Sequence, residues 1–141
     1  MLDLILHRLT RAGVRCVKLD GGLSVQARDR VINAFREDPL VTVFLISLKA
    51  GGVALNLTTA NRIYLMDPWW NPAAEYQAMD RTHRLGQHRA ITVVRFVVRN
   101  TVEEKILALQ EKKRLVFDAT VGQDSAALGK LTVDDLRFLF S

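Results

Sequence analysis

Between residues 41 and 46 the chain reads Val-Thr-Val-Phe-Leu-Ile, almost continuously apolar and rich in β-forming side chains. A run this short and this unbroken reads as a strand buried on both faces. Segments of helical period stand on either side of it. Leu2, Ile5, Leu6 and Leu9 recur at helical spacing, with Gly13 as a natural stop. Ser24 is placed to cap a helix that carries Arg28, Val31, Ile32 and Phe35 and closes at Asp38-Pro39.

The same alternation continues along the chain. Val14 to Leu19, Arg62 to Met66 and Ile91 to Val98 read as further strands. A short helical turn is expected near Val53 to Leu57. Pro72 suits the first turn of a helix running to about Leu85, with Gly86 as its cap. Thr101 and Glu104 form a capping-box pattern ahead of a helix carrying Val102, Ile106, Leu109 and Val116, a stripe that Lys113 interrupts. Thr132 is placed to cap a final helix from Asp134 to Phe140. Strands alternating with helices imply βαβ units, hence an α/β fold with a parallel sheet and helices on both faces. Ligands bind such sheets at the carboxyl ends of strands. The Asp20-Gly21-Gly22 turn and the loops 47–52, 67–72 and after Val98 belong there.

With 141 residues, 49% of them hydrophobic, the chain is long enough for a real core. A net charge of +5 permits a nucleic-acid partner without demanding one. One cysteine, Cys16, excludes a disulfide framework and a cysteine zinc site, and points to a reducing compartment. No apolar run reaches membrane-spanning length, and the early charges Asp3, Arg8 and Arg11 do not suit a signal peptide. The abrupt helical start is the pattern expected of a domain excised from a longer protein.

Three stretches carry chemistry. In Gln77-Ala-Met-Asp-Arg-Thr-His-Arg-Leu-Gly-Gln87, Arg81 and Arg84 are three apart. On a helix they would share a face, with Cβ atoms roughly 5–6 Å apart. Two adjacent guanidiniums repel unless an anion joins them, and a nucleotide triphosphate is such an anion. The competing reading is a solvated basic face with Asp80 and Glu75 as partners. In Ser47-Leu-Lys-Ala-Gly-Gly-Val-Ala-Leu-Asn-Leu57, Gly51 and Gly52 let backbone amides approach an anion, and Lys49 adds charge. A tight turn that needs glycine only for its backbone angles reads equally well. In Asp67-Pro-Trp-Trp-Asn-Pro72, Trp69 is expected to pack on a neighbouring helix. Trp70 is either packed likewise or a platform for nucleic acid. The Glu-Lys-Lys-Arg run at 111–114 is expected to be a solvated helix face. A Walker A loop and a GxGxxG turn are both absent from the sequence, which argues against a self-sufficient nucleotide hydrolase and against a dinucleotide enzyme.

In this order, the three stretches resemble the C-terminal RecA-like lobe of Swi/Snf-type ATPases of helicase superfamily two. Leu19 to Gly22 with Arg28 and Phe35 to Pro39 is similar to the family's fourth-motif region. Ser47 to Leu57 resembles its fifth motif, and Asp67 to Pro72 its DxxWNP segment. Gln77 to Gln87 resembles its sixth motif, QAxDRxHRxGQ. The resemblance covers nearly the whole chain. Trp69-Trp70-Asn71-Pro72 and the tail Lys130 to Phe140 are similar to the DNA-repair branch, with Val93 to Gly122 nearest its yeast-type global-genome nucleotide-excision-repair ATPase. Ala54 and Trp69 depart from the Gly and Asp that chromatin remodellers more often carry.

The resemblance implies that Arg81 and Arg84 act as arginine fingers, completing an ATP site whose phosphate loop and Mg²⁺ ligands lie on the N-terminal RecA-like lobe of the same polypeptide. It implies that Gly51, Gly52, Gln77 and Asp80 line the same cleft, and that Lys49 and Trp70 face double-stranded DNA. Residues 1–100 would form the lobe, 101–118 a brace helix, and 119–141 a loop and short final helix. A nuclear DNA-dependent motor follows, with nucleosomes and repair factors as candidate partners and no membrane partner. ATP hydrolysis is not expected from the chain alone. No RING cysteines occur in it, so ubiquitin-ligase activity finds no support. A DNA- or protein-binding module without motor activity is the open alternative.

Overall fold

A computed structural model describes residues 1–48, 55–119 and 131–141, with residues 116–119 described by their backbone alone. The chain divides into two compact units. The first comprises Met1–Thr59 and Arg84–Gln87, the second Ala60–His83 and His88–Ser141.

In the first unit, helix α1 (Leu2–Arg11) precedes strand β1 (Cys16–Leu19), helix α2 (Val25–Glu37) and strand β2 (Val43–Ile46). The strands pair in parallel, Cys16 opposite Val43 and Leu19 opposite Ile46. Local chemistry sets the boundaries. Gly13, at φ 77°, ends α1: its amide donates to Thr10 O, and the next amide, of Val14, reaches back to Leu9 O, both 3.0 Å. That double return is the Schellman arrangement, open to a residue without a Cβ. Ser24 Oγ accepts from Ala27 N at 3.3 Å and starts α2. The expected stripes face inward. Leu2, Ile5, Leu6 and Leu9 are the half-buried residues of α1, and Phe35 of α2 is buried, edge-on to Phe44 at 5.1 Å. β2 is less covered than its composition implied. Leu45 is buried, while Val43, Phe44 and Ile46 are half-buried. Among the described residues β1 is its one strand partner, so it lacks the second flank of a fully enclosed strand.

In the second unit, strand β3 (Arg62–Leu65), helix α3 (Pro72–Met79) and strand β4 (Thr92–Arg95) are followed by helices α4 (Val102–Ala119) and α5 (Val133–Phe140). β3 and β4 pair in parallel, Arg62 opposite Thr92 and Leu65 opposite Arg95. Asn71 and Pro72 start α3, with Asn71 Oδ1 accepting from Ala73 N at 3.0 Å. Leu109 of α4 and Leu139 of α5 are buried, and the two helices pack together. Thr132 and Asp135 form a reciprocal capping box at the start of α5. The box expected at Thr101 is rearranged. Thr101 Oγ1 accepts from Glu103 N at 3.2 Å, and Glu104 reaches back to Asn100 N, in left-handed conformation at φ 58°, at 3.1 Å.

The result is a RecA-like α/β fold of small parallel strand pairs and five helices among the described residues. No helix among the described residues is long and apolar enough to cross a membrane. Parallel pairing puts β-strand carboxyl ends on one edge of each pair. In the first unit the Asp20-Gly21-Gly22 turn and Ser47 leave that edge. In the second, the segment 66–71 and the segment 96–101 do so.

Candidate functional site

The Asp67–Pro72 segment is held by a buried carboxylate. Glu75, on the first turn of α3, is 1% exposed. Its Oε1 accepts from Trp69 N at 2.8 Å and from the Gln110 side-chain amide at 3.0 Å. Its Oε2 lies 2.5 Å from Nη2 of Arg95 on β4. Gln110, buried on α4, gives its other amide hydrogen to the Trp69 carbonyl oxygen. Both polar main-chain groups of Trp69 are thereby occupied. A buried carboxylate is tolerated where a cation and several donors surround it, and Glu75 has them.

This corrects one reading. Glu75 is not a solvated partner for Arg81 and Arg84; it is turned inward and paired with Arg95. Trp69, expected to pack on a neighbouring helix, keeps 37% of its surface exposed, while both of its main-chain polar groups are bonded. Trp70 is half-buried. The two rings lie 6.2 Å apart at a tilt of 37°. The Lys113 ammonium stands 5.5 Å from the Trp70 ring centroid and 3.2 Å from Asp135 Oδ2. Lys113 therefore breaks the apolar stripe of α4 for a reason, and of the run 111–114 it is not part of a solvated face. Its neighbours Glu111 and Arg114 are exposed and paired with each other at 2.6 Å.

Helix α3 ends earlier than expected, at Met79 rather than near Leu85. The amide of Asp80 still donates to Tyr76 O, but the amides of Thr82 and His83 both converge on Met79 O, at 3.0 Å each. Asp80, Thr82 and His83 are weak helix formers, and Gly86, at φ 99°, takes the left-handed conformation. Arg81 and Arg84 thus lie in turns beyond the helix, and the shared-helix-face argument for the pair does not hold. Arg81 is half-buried in the second unit; Arg84 is exposed in the first. The Gln87 side chain donates to Thr58 O at 3.0 Å, within the first unit. Gln77 and Asp80 are exposed at the end of α3. Lys49, Gly51 and Gly52 lie outside the described residues, as do Val53 and Ala54 of the helical turn expected at 53–57; Leu55 to Leu57 are described and are not helical.

At the carboxyl end of β1, Lys18 bridges Asp3 at 2.6 Å and Asp20 at 2.8 Å. Those two hydrogen-bonded carboxylates raise the Lys18 pKa above the usual lysine value. Asp20 is held below the ordinary carboxylate range by Lys18 and by the Gly22 amide, 3.0 Å away. Sequence reading passed over Lys18, Gln110 and Arg95. Gln110 and Arg95 act through partners remote in the chain, and Lys18 joins the neighbouring Asp20 to Asp3, fifteen positions away.

The helicase conserved C-terminal domain model matches residues 1–86. The chain is 56% identical over its whole length to the ATP-dependent helicase rhp16 of Schizosaccharomyces pombe, covering 16% of that protein. It is 44% identical over 99% of its length to the DNA repair protein rad8 of the same organism, covering 12% of that protein. Among solved structures, the C-terminal part of the Fun30 ATPase domain superposes at a TM-score of 0.75 with 35% identity, over 77% of this chain and 35% of that one. The chain thus spans about a sixth or less of the length of these curated relatives. Its fold, its motif order and these likenesses agree, and the chain belongs to the helicase conserved C-terminal domain family.

Proposed function

We propose that this domain is the second motor lobe of a nuclear, DNA-dependent ATPase acting in DNA repair, and that Arg81 and Arg84 supply positive charge to an ATP site completed by an N-terminal lobe of the same polypeptide. The observation that carries the reading is the Gln77–Gln87 run within a helicase C-terminal domain whose relatives are named an ATP-dependent helicase and a DNA repair protein. Release of the run from α3 supports it. Arg84 is exposed in a turn, and a side chain that must meet a ligand has to be reachable from solvent.

ATP with Mg²⁺ supplies a phosphoryl group whose transfer develops charge on the equatorial oxygens, and fixed guanidiniums stabilise that charge. Arg81 and Arg84 fit that role by charge and planar donor geometry. The phosphate loop and the acidic Mg²⁺ ligands are assigned to the other lobe. Gly51, Gly52, Gln77 and Asp80 are assigned to the cleft, and Lys49 and Trp70 to duplex DNA; Trp69, 37% exposed beside the Trp70 ring, is added to that face. Closure of the lobes around nucleotide brings the arginines to the phosphates, and opening after hydrolysis shifts the grip on DNA.

The test is an Arg84→Ala variant of a polypeptide carrying both lobes. A loss of about 10³-fold or more in DNA-stimulated kcat, with duplex binding retained, is expected for an arginine finger. An unchanged rate overturns the arginine-finger role of Arg84, and a two-lobe parent without DNA-stimulated hydrolysis overturns the motor assignment and leaves a binding module. The 141-residue chain alone is expected to show no ATP hydrolysis.

A further inference from the structure

We propose that Gln110 and Lys113 of α4 are positioning residues, which set the orientation in which Trp69 and Trp70 meet duplex DNA. The inference rests on the DNA reading of that segment above. Gln110 and Lys113 are three apart and share one face of the helix. Gln110 holds the Trp69 carbonyl oxygen, while Glu75, which Gln110 also contacts, holds the Trp69 amide. Lys113 covers the Trp70 ring with its ammonium and is anchored by Asp135, in the capping box of α5.

The side chains of Lys113 and Asp135 are 11% and 10% exposed. An apolar residue at 113 would complete the α4 stripe without the desolvation cost of a buried ammonium. A lysine placed between a carboxylate and an indole face instead fixes the ring through a directional, desolvated cation–π contact. Contact with a duplex backbone depends on how the aromatic surface is presented, and a surface held in advance loses less entropy on binding. Helices α4 and α5 thus act on DNA through the tryptophans rather than by touching it.

Trp69 and Trp70 are the two tryptophans of the chain, so intrinsic fluorescence of the 141-residue protein follows this site directly as a short duplex oligonucleotide is added at low salt. Lys113→Met and Gln110→Met are each expected to weaken duplex binding by about fivefold, on the order of the cost of ordering one freed side chain on binding. Lys113→Arg, which keeps the cation, should stay within about twofold of the parent. In a Trp70→Ala background, Lys113→Met should have no further effect. An equal loss in both backgrounds overturns the proposal, because Lys113 would then contact phosphate itself. The Lys113 cycle stands even where Gln110→Met fails to fold. Weakened binding in Trp70→Ala, with Lys113→Met and Gln110→Met unchanged, overturns the positioning role alone. Unchanged binding in Trp70→Ala overturns the DNA reading and the proposal with it.

Discussion

The Glu75 carboxylate lies 2.5 Å from the Arg95 guanidinium, and with 1% of its surface exposed it sits deeper than any other ionisable side chain among the described residues. The pair ties α3 to β4, and through Gln110 it ties both to α4. Arg95→Met removes the cation paired with a buried carboxylate. It is expected to destabilise the protein by about 3 kcal/mol, since an uncompensated buried charge is left behind. Urea denaturation at neutral pH measures this. A loss below about 0.5 kcal/mol would mean the carboxylate is adequately held by its amide donors.

Leu109, 1% exposed, anchors α4. Leu109→Ala should cost about 2–5 kcal/mol, by lost transfer energy and by the cavity left behind. Leu115 lies on the same helix and is 56% exposed, so Leu115→Ala should change stability by no more than about 0.5 kcal/mol. Comparison of the two denaturation midpoints checks burial directly, with helix propensity nearly held constant.

Asp135 couples α5 to α4, and its contribution depends on pH. Burial opposes its charged form, but the Thr132 amide, the Lys113 ammonium and the Thr132 hydroxyl outweigh burial and lower its pKa below the ordinary 3.8. A lowered folded-state pKa means stabilisation that is complete above the unfolded value and is lost as pH falls through the folded one. The stability difference between the parent and Asp135→Asn should therefore be constant from neutral pH to about pH 5 and should shrink below pH 4. Denaturation midpoints measured across that range test the sign. A difference that grows on acidification would contradict it.

Gly86 and Gly21 both have open space where a Cβ would stand, yet only Gly86 has positive φ, at 99°. Gly86→Ala should cost about 1 kcal/mol or more, and Gly21→Ala should be neutral or slightly stabilising. Thermal denaturation of the two variants separates backbone strain from crowding, because neither site is crowded.

Several local features of the fold were legible before any coordinates. Ser24 and Thr132 cap the helices expected of them, Gly13 takes the left-handed angle that ends α1, and the stripes of α1 and α2 face inward. Periodicity, capping and glycine angles are decided by residues a few positions apart, so they can be read along the chain. The order of the motif stretches was likewise legible, and with it the family.

Other features belonged to the tertiary structure alone. Nothing near Glu75 in the sequence says that it is buried, because Arg95 and Gln110, which make burial tolerable, lie 20 and 35 positions away. Lys113 looked like an interruption until Asp135 and the Trp70 ring were found on either side of its ammonium. The run after Met79 carries a helical pattern, yet it leaves the helix where weak formers and Gly86 let the chain turn. The sequence by itself determined where the strands lie, where α2 and α5 begin, where α1 ends and which family these elements compose, because those choices rest on short-range sterics and hydrogen bonding. Only the tertiary structure decided which charges are buried and which tryptophan is held by its backbone, because a charge is stable inside a protein only when distant partners arrive around it.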